Sequence, residues 1–154
     1  MARDPTIAST FLLADFVPFR LNRLADAVSQ DLSEIYRDRF GLEIPEWRVL
    51  VTVGQRSGCN AQHVAASTRM HKTRVSRAVA SLAKRKLVER VSCAEDGREL
   101  RLRLTRAGLG VYEVLVPLAV ERERALLAKM SAVNSQGFIA ALSQLEEALK
   151  LNGE

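Results

Sequence analysis

The stretch MHKTRVSRAVASLAKRKLVER, Met70 to Arg90, has apolar residues at helical spacing and cations over much of the remainder. Turned at about 100° per residue from Val75, the side chains of Ala78, Val79 and Leu82 fall within about 60° of it and form a seam that needs a core to cover it. Thr73, Arg77, Ala80 and Lys84 make the opposite stripe, with Arg74 and Ser81 on one shoulder and Ser76 on the other. That face is polar, cationic and narrow, and Ala80 lets it approach a surface closely. Arginine pairs in bidentate fashion with guanine O6 and N7, Ser and Thr hydroxyls donate or accept, and a Thr methyl can meet a thymine methyl. Base edges are usually reached from the N-terminal half of such a helix. Thr73, Arg74, Ser76 and Arg77 are therefore candidates for base contacts, with Lys72 and Lys84 nearer phosphates.

The charge around this helix is local. The segment from Asn60 to Arg106 carries twelve Lys/Arg against four acids, a net +8 in a chain whose total is +5, so the remainder is net −3. Such a field concentrates polyanions and speeds their capture. At 154 residues the chain is the length of one domain, with the apolar and charged fractions of a soluble globular protein.

Working outward, Leu21, Leu24, Ala25, Val28, Leu32, Ile35 and Tyr36 recur at helical spacing, which predicts a helix of about 24 residues, about 36 Å long, with Pro18 in its first turn. Gly41 then marks a turn and Pro45 opens a helix ended by Gly54 or Gly58, with Trp47, Leu50 and Val51 on one face. Asn60 caps a short helix, AQHVAAST, and the basic helix follows it, so the order reads as a helix-turn-helix. After it the period changes: Leu100, Leu102 and Leu104 alternate with Arg101 and Arg103, and EDG separates this run from LVERV, which predicts a two-stranded hairpin, a wing. Arg98 follows the tight turn, where its side chain can project into a narrow minor groove, and Asp96 is placed to hold an arginine of the protein and fix the wing. Thr105 caps a second long helix with Tyr112, Leu115, Val116, Ala119, Leu126, Leu127 and Met130 available for burial. Ser131 to Ser135 breaks it, and a last helix presents Phe138, Leu142, Leu145 and Leu149. The fold class expected is mainly α with a small β-hairpin. Residues 41–105 form a winged helix-turn-helix, and the helices of 1–40 and 106–154 pack on each other and on a second chain, because their apolar stripes exceed what a small winged unit can cover.

The order of these parts, the motif HKTRVSRAVASLAKRKLVER and the Asp-x-Arg of Asp96, Gly97 and Arg98 resemble the MarR family, the multiple-antibiotic-resistance-type regulators of bacteria. The resemblance runs from DFVPFRLNRLADAV to the final helix. It implies a homodimer with interlocked terminal helices, two winged lobes on a palindromic operator in double-stranded DNA, and Arg98 in the minor groove. It also implies a repressor released by a small aromatic or phenolic-type effector bound between the dimerisation helices and the DNA-binding lobe. Phe16, Phe19, Trp47 and Tyr112 are candidates to line that pocket, although aromatic residues at helical spacing commonly belong to a core. Two positions depart from the family pattern. Lys86 stands where glycine is usual, so a left-handed turn there costs about 1 kcal/mol unless the helix ends differently. His71 stands where Asp commonly caps the basic helix.

Other chemistries find little support. His63 and His71 are the only histidines, and no cluster has metal-ligand spacing, so no metal or cofactor is expected. Cys59 and Cys93 form no CxxC pair. No Gly-rich phosphate loop or acid/base pair argues for an enzyme. FLLA is too short for a signal peptide and no run spans a membrane, which predicts a cytoplasmic protein. Besides the regulator, the pattern admits a winged-helix protein-interaction module with no specific operator.

Overall fold

The structure, a computed structural model, describes residues 11–92 and 100–151. After a 3-10 turn at Leu13–Asp15, helix α1 spans Val17–Phe40, the predicted 24 residues, with Pro18 in its first turn. It ends at Gly41, whose φ of 58° lies in the left-handed region that glycine occupies without steric cost. The Gly41 N–H bonds to Arg37 O at 2.8 Å and the Leu42 N–H to Tyr36 O at 3.0 Å, and Leu42 is buried. Helix α2 (Ile44–Gln55) starts with a reciprocal cap in which the Glu43 side chain accepts from the N–H of Glu46 while the Glu43 N–H donates to Glu46 Oε2 at 2.8 Å. Its buried residues are Glu46, Val49, Leu50 and Val53, whereas Trp47 and Val51 are half-buried.

Strand β1 (Cys59–Asn60), helix α3 (Ala61–Thr68), helix α4 (Lys72–Lys84), strand β2 (Val88–Ser92) and strand β3 (Leu100–Leu104) complete the winged lobe. The sheet has three strands in the order β1-β3-β2, both pairings antiparallel, so the expected hairpin gains a strand. Cys59 pairs with Leu102 and Asn60 with Arg101, and the Gly58 N–H donates to Leu102 O at 3.0 Å. Helices α2, α3 and α4 pack on one another, and α2 also meets β3. Their shared core takes Val49, Leu50, Val53, Val64, Val75, Val79, Leu82, Val88 and Leu102, all essentially removed from solvent.

Helix α5 spans Arg106–Leu127 and helix α6 spans Ala132–Ala148. Thr105 caps α5 as expected, accepting from the Gly108 N–H at 3.0 Å. The break between the helices comes earlier than the Ser131 to Ser135 expected. Ser131 is the N-cap of α6, its hydroxyl accepting from the Asn134 N–H at 3.2 Å, so Val133 to Ser135 are already helical. Two compact units result, one ending at Glu113 and the other starting at Val114, within α5. Pro117 lies inside that helix, and having no N–H it leaves the carbonyl of Glu113 without its intrahelical donor.

Candidate nucleic-acid interface

The basic helix is positioned by its buried side. Val75, Ala78, Val79 and Leu82 are its buried residues, the same four the spacing picks out. Asn60 starts α3 by accepting the His63 N–H at 2.8 Å, and α3 ends at Arg69, whose φ is 55°. Met70 is buried in the turn, and His71 caps α4 with Nδ1 accepting the Thr73 N–H at 3.3 Å. Lys72, Thr73, Arg74, Ser76, Arg77, Ala80 and Lys84 are all exposed. Among the described residues no carboxylate pairs with Lys72, Arg74, Arg77 or Lys84. The helix thus offers several uncompensated cations and two hydroxyls on one solvent-facing side.

The far end of α4 is tied to the wing. Lys86 does adopt the left-handed conformation, at φ 57°. The Leu87 N–H donates to Leu82 O and the Lys86 N–H to Ala83 O, each at 2.9 Å, the paired bonds of a Schellman ending. Thr105 Oγ1 donates to Lys86 O at 2.6 Å while accepting at the start of α5, so one hydroxyl joins the end of α4 to the strand leaving the wing. Within the wing, Glu89 and Arg103 face each other in the register and form an ion pair at 2.9 Å. Arg98 and Asp96 lie outside the described residues.

Residues 40–99 match the model of the MarR family. A MarR/EmrR family transcriptional regulator from Acinetobacter sp. ADP1 superposes with a TM-score of 0.80 at 27% identity, covering 91% of this chain and 99% of that one. Residues 40–99 are thus similar in sequence to the MarR family, and the fold over most of the chain is similar to that of a MarR-family regulator. A second MarR-family regulator, SPO1453 from Silicibacter pomeroyi DSS-3, also gives a TM-score of 0.80 at 27% identity, over 90% of this chain and 98% of that one. BpsR from Bordetella bronchiseptica, whose DNA binding is regulated by 6-hydroxynicotinic acid, shares the fold at 18% identity with a TM-score of 0.78, over 88% of this chain and 96% of that one. No protein of curated function matches the chain in sequence.

The winged lobe also holds residues that charge counting misassigns. Arg85 belongs to the basic run, yet its Nη1 donates to Gly41 O at 3.0 Å, its Nη2 to Phe40 O, and its guanidinium lies 3.9 Å from Glu46. Arg103 is neutralised by Glu89. Nothing in the local sequence separates these two arginines from their neighbours, because their partners are set by tertiary contacts.

The four aromatic residues proposed for an effector pocket have four different neighbours. Phe16 is exposed and meets Phe11 edge-on at 5.4 Å, Phe19 lies under Arg23 at 5.7 Å, and Trp47 stacks on Tyr36 at 5.4 Å. The Tyr112 ring lies against Gly54, where an added Cβ would come within 2.4 Å of it, so Gly54 serves close packing inside α2 rather than ending the helix. Burial pushes the Tyr36 hydroxyl above its ordinary pKa against the opposing pull of Arg48 and Arg37, and burial likewise pushes the Cys59 thiol up. Among the described residues no group of three His, Cys, Asp or Glu could hold a metal ion, and no helix is long and apolar enough to cross a membrane.

Proposed function

We propose that this chain is a MarR-type regulator: a homodimeric, sequence-specific DNA-binding repressor that a small aromatic or phenolic-type ligand releases from a palindromic operator. The observation that carries this reading is the exposed cationic face of α4, unpaired among the described residues and held outward by a buried seam. Thr73, Arg74, Ser76 and Arg77 read bases, Lys72 and Lys84 contact phosphates, Arg98 enters the minor groove and Asp96 steadies the wing. Residues 41–105 form the reading lobe, and the helices of 1–40 and 106–154 make the dimer. Support for the dimer comes from the exposed apolar side chains that each unit carries: Phe16 just before α1, Val17, Leu21 and Leu24 on it, and Ile139, Leu145 and Leu149 at the other end of the chain. The regulation of BpsR by a hydroxylated aromatic acid supports the ligand class, with Phe16, Phe19, Trp47 and Tyr112 as candidate contacts. The protein acts in the cytoplasm, without enzymatic turnover.

The test is binding of labelled duplexes covering the chain's own promoter. Arg77→Ala should cost about 1 to 3 kcal/mol and relax specificity, whereas Lys84→Ala should weaken all sequences alike and lower the salt slope by about 1. If promoter duplexes bind no tighter than random DNA at moderate salt, specific repression is wrong. Survival of function after charge reversal at Arg74, Arg77 and Arg98 would instead favour a protein-interaction module.

A further inference from the structure

Arg85 is the first residue beyond α4, and its own N–H still bonds to Ser81 O at 3.0 Å, so its main chain travels with that helix. Its two terminal nitrogens reach across to the carbonyls of Phe40 and Gly41. Carbonyls at a helix C-terminus lack intrahelical donors and carry the negative end of the dipole, so a cation there satisfies both deficits. The same guanidinium lies 3.9 Å from the carboxylate of Glu46, which is buried and closes the cap of α2 by accepting the Glu43 N–H. The end of α1, the start of α2 and the end of α4 therefore meet at one planar group. A fork of fixed geometry can serve these acceptors together, which the single ammonium of lysine cannot do. The Arg85 side chain keeps 36% of its accessible surface, so it acts as a polar strut and not as core filling.

We propose that Arg85 is a positioning residue that fixes the angle between the dimerisation helix α1 and the reading helix α4, and thereby sets the spacing of half-sites the dimer accepts. This rests on the DNA-binding dimer proposed above. A two-fold dimer engages half-sites about one helical turn, roughly 34 Å, apart, so each reading helix must be held at a set distance from the axis. In the dimer proposed above α1 is one of the dimerising helices, and a lobe free to swing on it would accept several spacings, each with reduced affinity. The strut at the α1–α4 joint removes that freedom. Both terminal nitrogens already donate inward, so the charge of Arg85 is committed to the joint and not to phosphate.

The experiment uses the full chain and an operator selected from bound genomic fragments. Affinity is measured by fluorescence anisotropy at several salt concentrations, for that operator and for duplexes whose half-sites are moved closer or farther by a single base pair. Arg85→Ala should lower affinity for the native spacing about ten-fold. It should shrink the preference for native over shifted spacing by a similar factor and leave the salt slope unchanged, because no phosphate contact is lost. Arg85→Lys should fall between the variant and the wild type. Unchanged spacing preference in Arg85→Ala overturns the proposal, and so does a slope reduced by about 1, which would make Arg85 a phosphate ligand. Should circular dichroism show Arg85→Ala unfolded, the same comparison on Arg85→Lys and Glu46→Gln decides, with a reduced spacing preference expected in both and an unchanged one fatal. A wild-type chain with no operator preference sinks the DNA-binding reading and this inference with it, whereas a discriminating wild type beside an equally discriminating Arg85→Ala overturns this inference alone.

Discussion

Lys86 holds a left-handed backbone conformation that an L side chain adopts only at a cost of about 1 to 2 kcal/mol, and it does so because the bonds to Leu82 O and Ala83 O close the end of α4. Lys86→Gly should therefore stabilise the fold by about 1 kcal/mol, raising the thermal midpoint by about 3 °C in a melt followed by circular dichroism. An unchanged or lower midpoint would mean that the left-handed turn is not strained. The strain was legible beforehand, since a lysine where glycine is usual poses the question; which of the two endings the helix takes was settled by the folded chain. Val75, Ala78, Val79 and Leu82 were legible in full, because a single amphipathic helix has one apolar face and that face has nowhere else to go. Arg85 was not legible. Its neighbours Lys84 and Lys86 have the same charge, and only the approach of Phe40 and Gly41, more than forty residues earlier, distinguishes it.

Elements with a strong period were found in the right places, and the element with none was missed. Helices α1 and α4 and the strands of the wing announce themselves by 3.6-residue or two-residue repetition. Strand β1 is only Cys59 and Asn60, too short for any alternation, and it exists because β3 presents a free edge to it. The Asn60 cap was predicted, while its strand pairing was not. The junction of α5 with the α4–β2 corner is similarly tertiary. Gly108 sits in the first turn of α5, and a Cβ there would lie 1.9 Å from the carbonyl oxygen of Leu87, which is backbone and cannot rotate away. Gly108→Ala should destabilise the protein by about 2 to 4 kcal/mol through a forced shift of α5 off the corner. Urea denaturation would read this as a lowered midpoint, and a wild-type midpoint would show that the corner yields at little cost.

On the scale of the molecule, apolar surface is left over. Leu145 and Leu149 are exposed on or just beyond α6, as are Leu21 and Leu24 on α1, and patches of this kind on a lone chain call for a partner. If a second copy covers them, Leu145→Glu with Leu149→Glu should shift the chain to monomer in sedimentation velocity and weaken operator binding at least ten-fold, since each lobe then binds its half-site without the other. A dimer of unaltered stability would remove these residues from the interface. The amino-acid sequence by itself determined the helix and strand periods, the cationic side of α4 opposite its seam, and the winged order of parts, because these depend on residues close together along the chain. Packing of distant segments brought β1 to the sheet, made Gly54 and Gly108 clearances for Tyr112 and the Leu87 carbonyl, and gave Arg85 and Arg103 partners within the lobe. Those outcomes turn on partners distant in sequence, whose meeting depends on how whole elements pack and not on any local pattern.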